Sequence, residues 1–434
     1  MAGSINHLQE PGNGRRARFV TFGCKVNQYD TQVLRERATG SGYTEVEEDA
    51  DLIVVNTCTV TEHGGALARK AVRRLARENP RAKIYVTGCY AVSDPETSAA
   101  LPNVVAVVSN DDKTMLLDLL GKPSDRPFIE ETVCELADHT RAFLKVQDGC
   151  HLRCAYCIIP FVRPAVTSKR ADTVVGEIRR MVSAGRREVV LTGVHLGAFG
   201  RDFEDDDPRN ALTQLVTRIL SETDIERVRL SSIEANEVTP ELVRLYAAED
   251  RLAPHFHVPL QAGSAAVLAR MRRRYNPAGF LKAVSMIREA IPDAAITTDV
   301  IVGFPGEAEN DFAETLRMMR EAAFMKTHVF PFSRREGTPA ATMVHQAHSR
   351  DIRRRVARAN ELSVSLARDY ARSRVGTRAG ALIESRRIEG RLTGFTGRYL
   401  RVVLEGEDHY INRVVPVRIT GLSGKGVTAE VEAS

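Results

Sequence analysis

The chain has 434 residues, of which 43% are hydrophobic and 27% charged, a balance that excludes a largely disordered protein. No apolar run reaches the roughly 18 residues that a membrane helix needs, and the first residues lack the apolar core of a signal peptide, so we expect a cytoplasmic protein with no membrane partner. In that setting the seven cysteines indicate metal binding, catalysis or packing rather than disulfides.

The formal charge of +5 is distributed unevenly along the chain. Residues 350–434 carry a net +7, whereas residues 1–349 carry −2. A basic end on a nearly neutral chain favours a polyanionic partner. A helix face that is simply solvated by its charges is the alternative.

Short apolar runs alternate with helical stretches over residues 17–125, which predicts a first domain. The predicted strands are ARFVTFGC, DLIVVNTCTV, KIYVTGC and NVVAVVS. Helical patterns such as NQYDTQVLRERATGSG separate them. Apolar strands that alternate with helices are typical of a parallel sheet covered on both faces. We therefore expect an α/β domain that ends at a linker over residues 121–126.

The same alternation recurs at a longer period from about residue 140 to 330. Six strands are predicted there, namely FLKVQDG, REVVLTGV, RVRLSS, PHFHVPL, AAITTDVIVGF and MKTHVFPF. Six β–α units favour a (β/α)6 partial barrel, whose site would lie at the carboxyl ends of the strands. Together with the charged helix that follows, this second domain is predicted to span residues 136–371.

Residues 372–434 show a third pattern of short strands and glycine turns. The predicted strands are RAGALIES, EGRLTGFTG, YLRVVLEG, RVVPVRITGL and GVTAEVEA. Five short strands in so few residues predict a small antiparallel β-barrel. This domain alone carries a net +4.

Three cysteines lie close together in DGCHLRCAYCIIP, directly after the first strand of the partial barrel. We call Cys150, Cys154 and Cys157 the loop set. Their C-x3-C-x2-C spacing leaves a four-coordinate site one ligand short, which suits structural zinc poorly. His151 is an awkward fourth ligand because it directly follows Cys150. An iron–sulfur cluster with one open iron fits the three thiolates better.

Three further cysteines each close an apolar strand of the first domain. We call Cys24, Cys58 and Cys89 the strand-end set. Because the carboxyl ends of parallel strands share one edge, the three thiols are expected to converge there, again one ligand short of four. The alternative is three small buried hydrophobic residues. Cys134 follows neither pattern and is interpreted as a spare thiol.

The loop set, with the aromatic Tyr156 before its last cysteine, has the signature of radical S-adenosylmethionine enzymes. Further stretches widen the resemblance to the methylthiotransferases of that class, from about residue 17 to the end. They include TFGCKVNQYDT, VVNTCTVTE, TGVHLG, RLSSIE, HFHVPLQAGS, TTDVIVGFPGE and HVFPFSRREGTPA. The terminal barrel resembles their TRAM domain, which binds RNA. GCKVNQY, TGVHLG and FSRREGTPA favour the branch that acts on N6-threonylcarbamoyladenosine in tRNA over the isopentenyladenosine and ribosomal-protein branches.

The resemblance implies two [4Fe-4S] clusters. The loop set would hold the cluster whose open iron binds S-adenosylmethionine, and the strand-end set would hold a second cluster that carries the sulfur to be donated. No side chain is assigned a catalytic role, because the cofactor carries the difficult step.

The resemblance also implies further cofactor contacts, most of them where strands of the partial barrel end. The residues concerned are Tyr156, Thr192, Gly193, Val194, Glu234, Gly303 and Gly306. Glycines let a backbone approach a ligand closely. The alternatives are plain turns and, for Glu234, a helix cap.

The implied reaction adds a methylthio group to C2 of N6-threonylcarbamoyladenosine next to the anticodon. The partners would be the anticodon stem-loop of tRNA and an electron donor such as flavodoxin or ferredoxin. Methylthiolation of isopentenyladenosine tRNA or of a ribosomal-protein aspartate, and a non-catalytic metal-bearing RNA-binding protein, are the alternatives. One departure from the family pattern concerns substrate positioning: after CIIPF the chain has Arg163-Pro164 where many relatives have arginine and glycine.

Overall fold

The structure is a computed structural model that describes residues 14–59, 62–121, 123–134, 140–204, 208–424 and 426–432. Its contacts divide the chain into two compact units. The first unit contains the described residues up to Cys134 together with Asp148–Leu152 and Cys157–Lys169, and the second contains the others. The linker predicted over residues 121–126 and the domain start predicted at residue 136 fall partly outside the described residues. Within those residues, no helix has the length and apolarity to cross a membrane.

A five-stranded parallel sheet organises the first unit, in the order β2-β1-β3-β4-β5. The strands are β1 (Arg16–Thr21), β2 (Thr44–Glu45), β3 (Leu52–Thr57), β4 (Lys83–Gly88) and β5 (Val104–Val107). The helices are α1 (Lys25–Gly40), α2 (Glu62–Glu78), α3 (Cys89–Ser93), α4 (Pro95–Ala99) and α5 (Thr114–Leu120). The four predicted strands are confirmed, and the two-residue edge strand β2 was not predicted.

The core of this sheet follows from its apolar strands. Every residue of β3 is buried, as expected for a central strand of a parallel sheet. Val72 and Leu75 of α2 pack in one cluster with Ile53 and Ile84 of the sheet. The cysteine-bearing ends of the strands are therefore held by a closely packed sheet.

The second unit contains six parallel strands. Its elements begin with β6 (Ala142–Asp148), and two short elements of the first unit, α6 (Ile159–Val162) and β7 (Thr167–Ser168), follow in the chain. The remaining strands are β8 (Glu188–Gly193), β9 (Arg227–Leu230), β10 (His255–His257), β11 (Ala295–Val302) and β12 (Lys326–Pro331). The helices are α7 (Ala171–Ser183), α8 (Ala211–Glu222), α9 (Pro240–Ala248), α10 (Ala265–Arg270), α11 (Pro277–Ala290), α12 (Glu309–Glu321) and α13 (Ser349–Ser373).

These strands form the predicted six-stranded partial barrel. β6, β8 and β9 pair in parallel, as do β10, β11 and β12. A parallel bridge between Ser232 and His257 links the two groups. Two of the helices begin with a polar N-cap followed by proline, at Thr239-Pro240 and Asn276-Pro277, which is a strong helix-start signal.

A closed five-stranded barrel completes the second unit, in the order β13-β14-β15-β17-β16. Its strands are β13 (Arg378–Ile388), β14 (Arg391–Thr396), β15 (Arg401–Leu404), β16 (Val414–Ser423) and β17 (Gly426–Val431). The predicted small barrel is confirmed. One pairing, β15 with β17, is parallel and closes it.

The small barrel packs against the amino ends of β8 and β9. Buried Glu188, the first residue of β8, pairs with Arg227 at 3.1 Å and with Arg229 at 2.8 Å. The same two guanidinium groups donate to the carbonyls of Gly380 and Gly397 in the barrel, at 2.8 Å each. The small barrel thus lies at the opposite end of these strands from the expected site.

Candidate functional site

The first unit brings the strand-end set to one edge of its sheet. Cys24 precedes α1 as its N-cap residue, Cys58 directly follows β3, and Cys89 is the first residue of α3 after β4. β1, β3 and β4 are neighbours in the sheet. A Cβ placed on Gly23 would lie 2.6 Å from the Cys58 sulfur, so glycine is required for this close approach.

Two of the three cysteines of this set are buried. They are Cys58 and Cys89, whereas Cys24 is exposed. Crowding by the surrounding protein raises the pKa of the Cys24 thiol, and Cys89 adds to this effect, while Arg163 opposes it. Three thiols at one sheet edge are the donor chemistry that an iron–sulfur cluster takes. Within the described parts of the chain, no three His, Cys, Asp or Glu side chains form a group that could hold a single metal ion.

The loop set is anchored by backbone contacts on both sides of the loop. In the first unit, the Cys150 N–H donates to the Arg163 carbonyl at 3.1 Å. A Cβ on the preceding Gly149, whose φ is +77°, would lie 1.8 Å from the Ala165 carbonyl oxygen. In the second unit, the Ala155 N–H donates to the Met271 carbonyl at 2.9 Å. Cys150 and Cys154 are buried, and Cys157 is half-buried.

A buried arginine organises the Cys154 side of the loop. Arg273 donates to the Cys154 sulfur at 3.2 Å and to the Tyr156 hydroxyl at 3.3 Å. It also pairs with Glu234, one of the predicted cofactor contacts. Burial raises the pKa of the Glu234 carboxyl, although Arg273 opposes the shift. The structure thus brings Cys154, Tyr156 and Glu234 together around Arg273.

Sequence reasoning missed Arg273. It is the middle residue of the run Arg272–Arg274, and such a run ordinarily indicates a solvated surface. The only available signal was its position two residues before Tyr275, whose hydroxyl donates to the Pro259 carbonyl at 2.6 Å.

The residues of β8 that were predicted to contact the cofactor lie at its carboxyl end. Thr192 and Gly193 close the strand and Val194 follows it. A Cβ on Gly193 would lie 2.7 Å from the Gln147 side-chain oxygen. That same oxygen accepts from the His195 N–H at 2.8 Å.

A second group that sequence reasoning missed lies just beyond this strand end. The buried His195 ring contacts Glu237 at 2.8 Å through Nε2, and Arg201 donates to the same carboxylate oxygen at 2.7 Å. Burial alone would raise the pKa of Glu237, but His195 and Arg201 hold it below its ordinary value. A charged carboxylate is therefore kept beside the strand end.

The two predicted glycines after β11 make contacts within the protein. Gly303 has φ +82° and its N–H donates to the Glu307 carboxylate at 2.7 Å. Gly306 has φ +76° and its N–H donates to the His345 carbonyl at 2.9 Å. Positive φ explains glycine at both positions. These contacts are also those expected if the two glycines simply form turns, the alternative given above, and they require no ligand.

A second buried arginine lies in the first unit, directly before Pro164, where the chain departs from the family pattern. Arg163 contacts both Asp148 oxygens at 2.6 Å, Asp30 at 3.0 Å and the Asn27 side-chain oxygen at 3.0 Å. Burial alone would lower the pKa of its guanidinium, but Asp148, Cys89 and Asp30 raise it well above the ordinary value. The charge is therefore permanent.

Comparisons with known proteins agree with this organisation. The model of the radical SAM superfamily matches residues 144–319, and that of the uncharacterized protein family UPF0004 matches residues 16–109. The chain is 37% identical to threonylcarbamoyladenosine tRNA methylthiotransferase MtaB of Bacillus subtilis, over 92% of this chain and 93% of that protein. It is 31% identical to tRNA-2-methylthio-N(6)-dimethylallyladenosine synthase of Bacillus pumilus, over 98% and 89%.

A solved structure shares the fold. The radical S-adenosylmethionine methyltransferase TsrM from Kitasatospora setae superposes with a TM-score of 0.57 at 14% identity, covering 76% of this chain and 77% of that one. At this identity the likeness concerns the fold alone.

Proposed function

The chain belongs to the radical S-adenosylmethionine methylthiotransferases, and we propose that it adds a methylthio group to C2 of N6-threonylcarbamoyladenosine next to the anticodon of tRNA. The observation that carries this proposal is the match to threonylcarbamoyladenosine tRNA methylthiotransferases along nearly the whole chain. An anticodon-loop base suits such an enzyme, because unstacked loop bases can be splayed into a pocket.

Membership in the radical SAM superfamily implies one [4Fe-4S] cluster and S-adenosylmethionine. The loop set supplies three thiols for the cluster. When bound, the cluster and S-adenosylmethionine supply radical chemistry that opens an unactivated adenine C–H bond. The chain's own contribution is orientation: Arg273 fixes the Cys154 sulfur and the Glu234 carboxyl on one side of the loop.

The strand-end set would hold a second [4Fe-4S] cluster that carries the sulfur to be donated. Its three thiols at one sheet edge support this role, since cluster ligands are thiolates. The further contacts to S-adenosylmethionine would come from Tyr156, Thr192, Gly193, Val194, Glu234, Gly303 and Gly306.

Three functional domains follow from this proposal, over residues 17–125, 136–371 and 372–434. The last, a small barrel with a net charge of +4, would contact tRNA phosphates. An electron donor such as flavodoxin or ferredoxin would serve the first cluster. A tRNA substrate implies a cytoplasmic enzyme.

The substrate is tested by the nucleoside profile of tRNA. The chain is expressed in a bacterial strain that lacks its own methylthiotransferases, and digested tRNA is analysed by mass spectrometry. We expect 2-methylthio-N6-threonylcarbamoyladenosine to appear. Methylthiolation of isopentenyladenosine alone, or unchanged tRNA, would reject the proposed substrate.

The second cluster is tested by Cys24→Ala. Because the two sets are separate in the chain, this variant should still cleave S-adenosylmethionine to within about twofold, while the methylthio product disappears. Release of 5′-deoxyadenosine and the nucleoside product are measured in the same reaction. Loss of both activities would contradict two independent cluster sites.

A further inference from the structure

Arg163 lies where parts of both cysteine sets meet within the first unit. It follows α6, and its side chain is 3% exposed. The Cys89 thiol lies near this guanidinium and favours its charged form, which helps to raise the guanidinium pKa. Its own carbonyl accepts from the Cys150 N–H at 3.1 Å. One residue is therefore hydrogen-bonded to the backbone of the loop set and lies near a thiol of the strand-end set.

The guanidinium also reaches the other two cysteines of the strand-end set through Asn27. Arg163 fixes the Asn27 side chain by donating to its oxygen at 3.0 Å. The amide nitrogen of Asn27 then donates to the carbonyls of Phe22 and Thr57, at 2.9 Å each. Thr57 directly precedes Cys58, and Phe22 lies two residues before Cys24. Two of the three strand ends are thus hydrogen-bonded to Arg163 through Asn27, and the third, at Cys89, lies near its guanidinium.

Two carboxylates hold this arginine in place. Asp148 contacts it at 2.6 Å, and Asp30 is shared with the buried Lys113. The two cations, Arg163 and Lys113, and the two carboxylates, Asp148 and Asp30, already balance one another in charge. Arg163 also donates to the Asn27 side-chain oxygen, and a planar guanidinium with five N–H groups can make all of these bonds at once, whereas a lysine ammonium cannot.

We propose that Arg163 is a positioning residue. It holds the strand-end thiols in place relative to the Cys150 backbone, and it provides a fixed positive charge beside the second cluster. The proposal rests on the proposed function, in which the strand-end set holds a cluster. Partners that orient metal ligands typically change metal affinity 10- to 100-fold when they are removed.

The test uses full-length protein in which only the strand-end set can bind a cluster, the variant Cys150→Ala/Cys154→Ala/Cys157→Ala. Arg163→Gln and Arg163→Lys are added to it and reconstituted with iron and sulfide without oxygen. The matched control is Arg18→Gln, because Arg18 is an ion-paired arginine of the same unit that contacts Glu47 and Glu78. Iron content, the EPR spectrum and the midpoint potential are measured.

We expect Arg163→Gln to weaken iron retention against a chelator about 10-fold or more and to move the midpoint potential to a more negative value. Arg163→Lys should restore the potential but not the EPR spectrum, since charge returns without the planar donor geometry. Iron retention, spectrum and potential equal to those of Arg18→Gln would overturn the role of Arg163. If the parent triple variant holds no iron, the proposed second cluster fails, which is a separate result.

A second measurement covers the case in which Arg163→Gln does not fold. In metal-free protein, the alkylation rate of Cys89 is followed by mass spectrometry in Asn27→Ala and Arg163→Lys. Loss of the guanidinium beside Cys89 should accelerate alkylation several-fold in Arg163→Lys and less in Asn27→Ala, which keeps the guanidinium. Equal rates in both variants and in the unsubstituted protein would contradict the proposal.

Discussion

The two ends of the parallel strands in the second unit each hold an arginine–glutamate pair, and the pairs differ in what else the arginine contacts. At the carboxyl end, Arg273 pairs with Glu234 and also donates to the Cys154 sulfur. At the amino end, Arg229 pairs with Glu188 and also donates to the Gly397 carbonyl. An arginine–glutamate pair therefore belongs to a candidate site at one end of the strands and to a contact with the small barrel at the other end.

The protonation behaviour of the two glutamates reflects this difference. Burial raises the pKa of Glu234 despite its single arginine. Burial would also raise the pKa of Glu188, but Arg229 and Arg227 together lower it. A carboxyl whose charge is only partly balanced by neighbouring cations is typical of a functional site, whereas one whose charge is fully balanced is typical of a structural contact.

The largest expected effect concerns the thiol at the carboxyl end. Cys154→Ala removes one of three cluster ligands, so cleavage of S-adenosylmethionine should fall on the order of 100-fold or more. Release of 5′-deoxyadenosine by reconstituted, reduced protein measures this. Cys134→Ala is the control, because Cys134 belongs to neither set. Unchanged cleavage in Cys154→Ala would show that the loop set does not bind the catalytic cluster.

Matched substitutions of the two arginines test whether the two strand ends have different roles. Arg273→Lys keeps the charge but loses the bidentate donor geometry, so we expect cleavage of S-adenosylmethionine to fall about 10- to 100-fold with little change in melting temperature. Arg229→Lys should instead lower the melting temperature and leave the cleavage of S-adenosylmethionine per folded molecule unchanged. Effects of the same kind in both variants would remove the distinction between the two ends.

Much of this arrangement was predictable from the sequence, and the features that were not predicted share one physical cause. The parallel strands and both cysteine sets were predicted because apolar runs and thiols are local signals. The strand containing Arg227 and Arg229 was also predicted, but the burial of these arginines was not. Their partners lie about 40 residues away at Glu188 and more than 150 residues away in the small barrel, and nothing local encodes such pairings.

At the amino end, the expected effect is on stability and depends on pH. Glu188→Gln leaves Arg227 and Arg229 buried without their anion, which should cost about 3–5 kcal/mol in the free energy of unfolding near pH 7. Because the pKa of Glu188 is lower in the folded state, its contribution is complete above its unfolded pKa of about 4.3 and is lost as the pH falls through its folded pKa. The difference between the two proteins should therefore shrink below about pH 4.

Urea unfolding of both proteins at pH 7, 5 and 3.5 measures this difference. Glu226→Gln is a suitable control, since Glu226 pairs with Arg187 at the exposed surface and exposed pairs contribute only about 0–1 kcal/mol. A difference between Glu188→Gln and the unsubstituted protein that stays constant down to pH 3.5 would contradict the role of the Glu188 carboxylate.

The smallest expected effect concerns Pro164, the residue that departs from the family pattern. The Arg163 side chain is already fixed by Asp148, Asp30 and Asn27, so the residue after it need not be glycine for the arginine to be held. Pro164→Gly should lower the free energy of unfolding by about 0.4–1 kcal/mol, because glycine gives the unfolded chain more freedom. Formation of the methylthio product should stay within about twofold. A large gain in product formation would instead mean that proline constrains this loop against the substrate, and that the contacts of Arg163 alone do not set its shape.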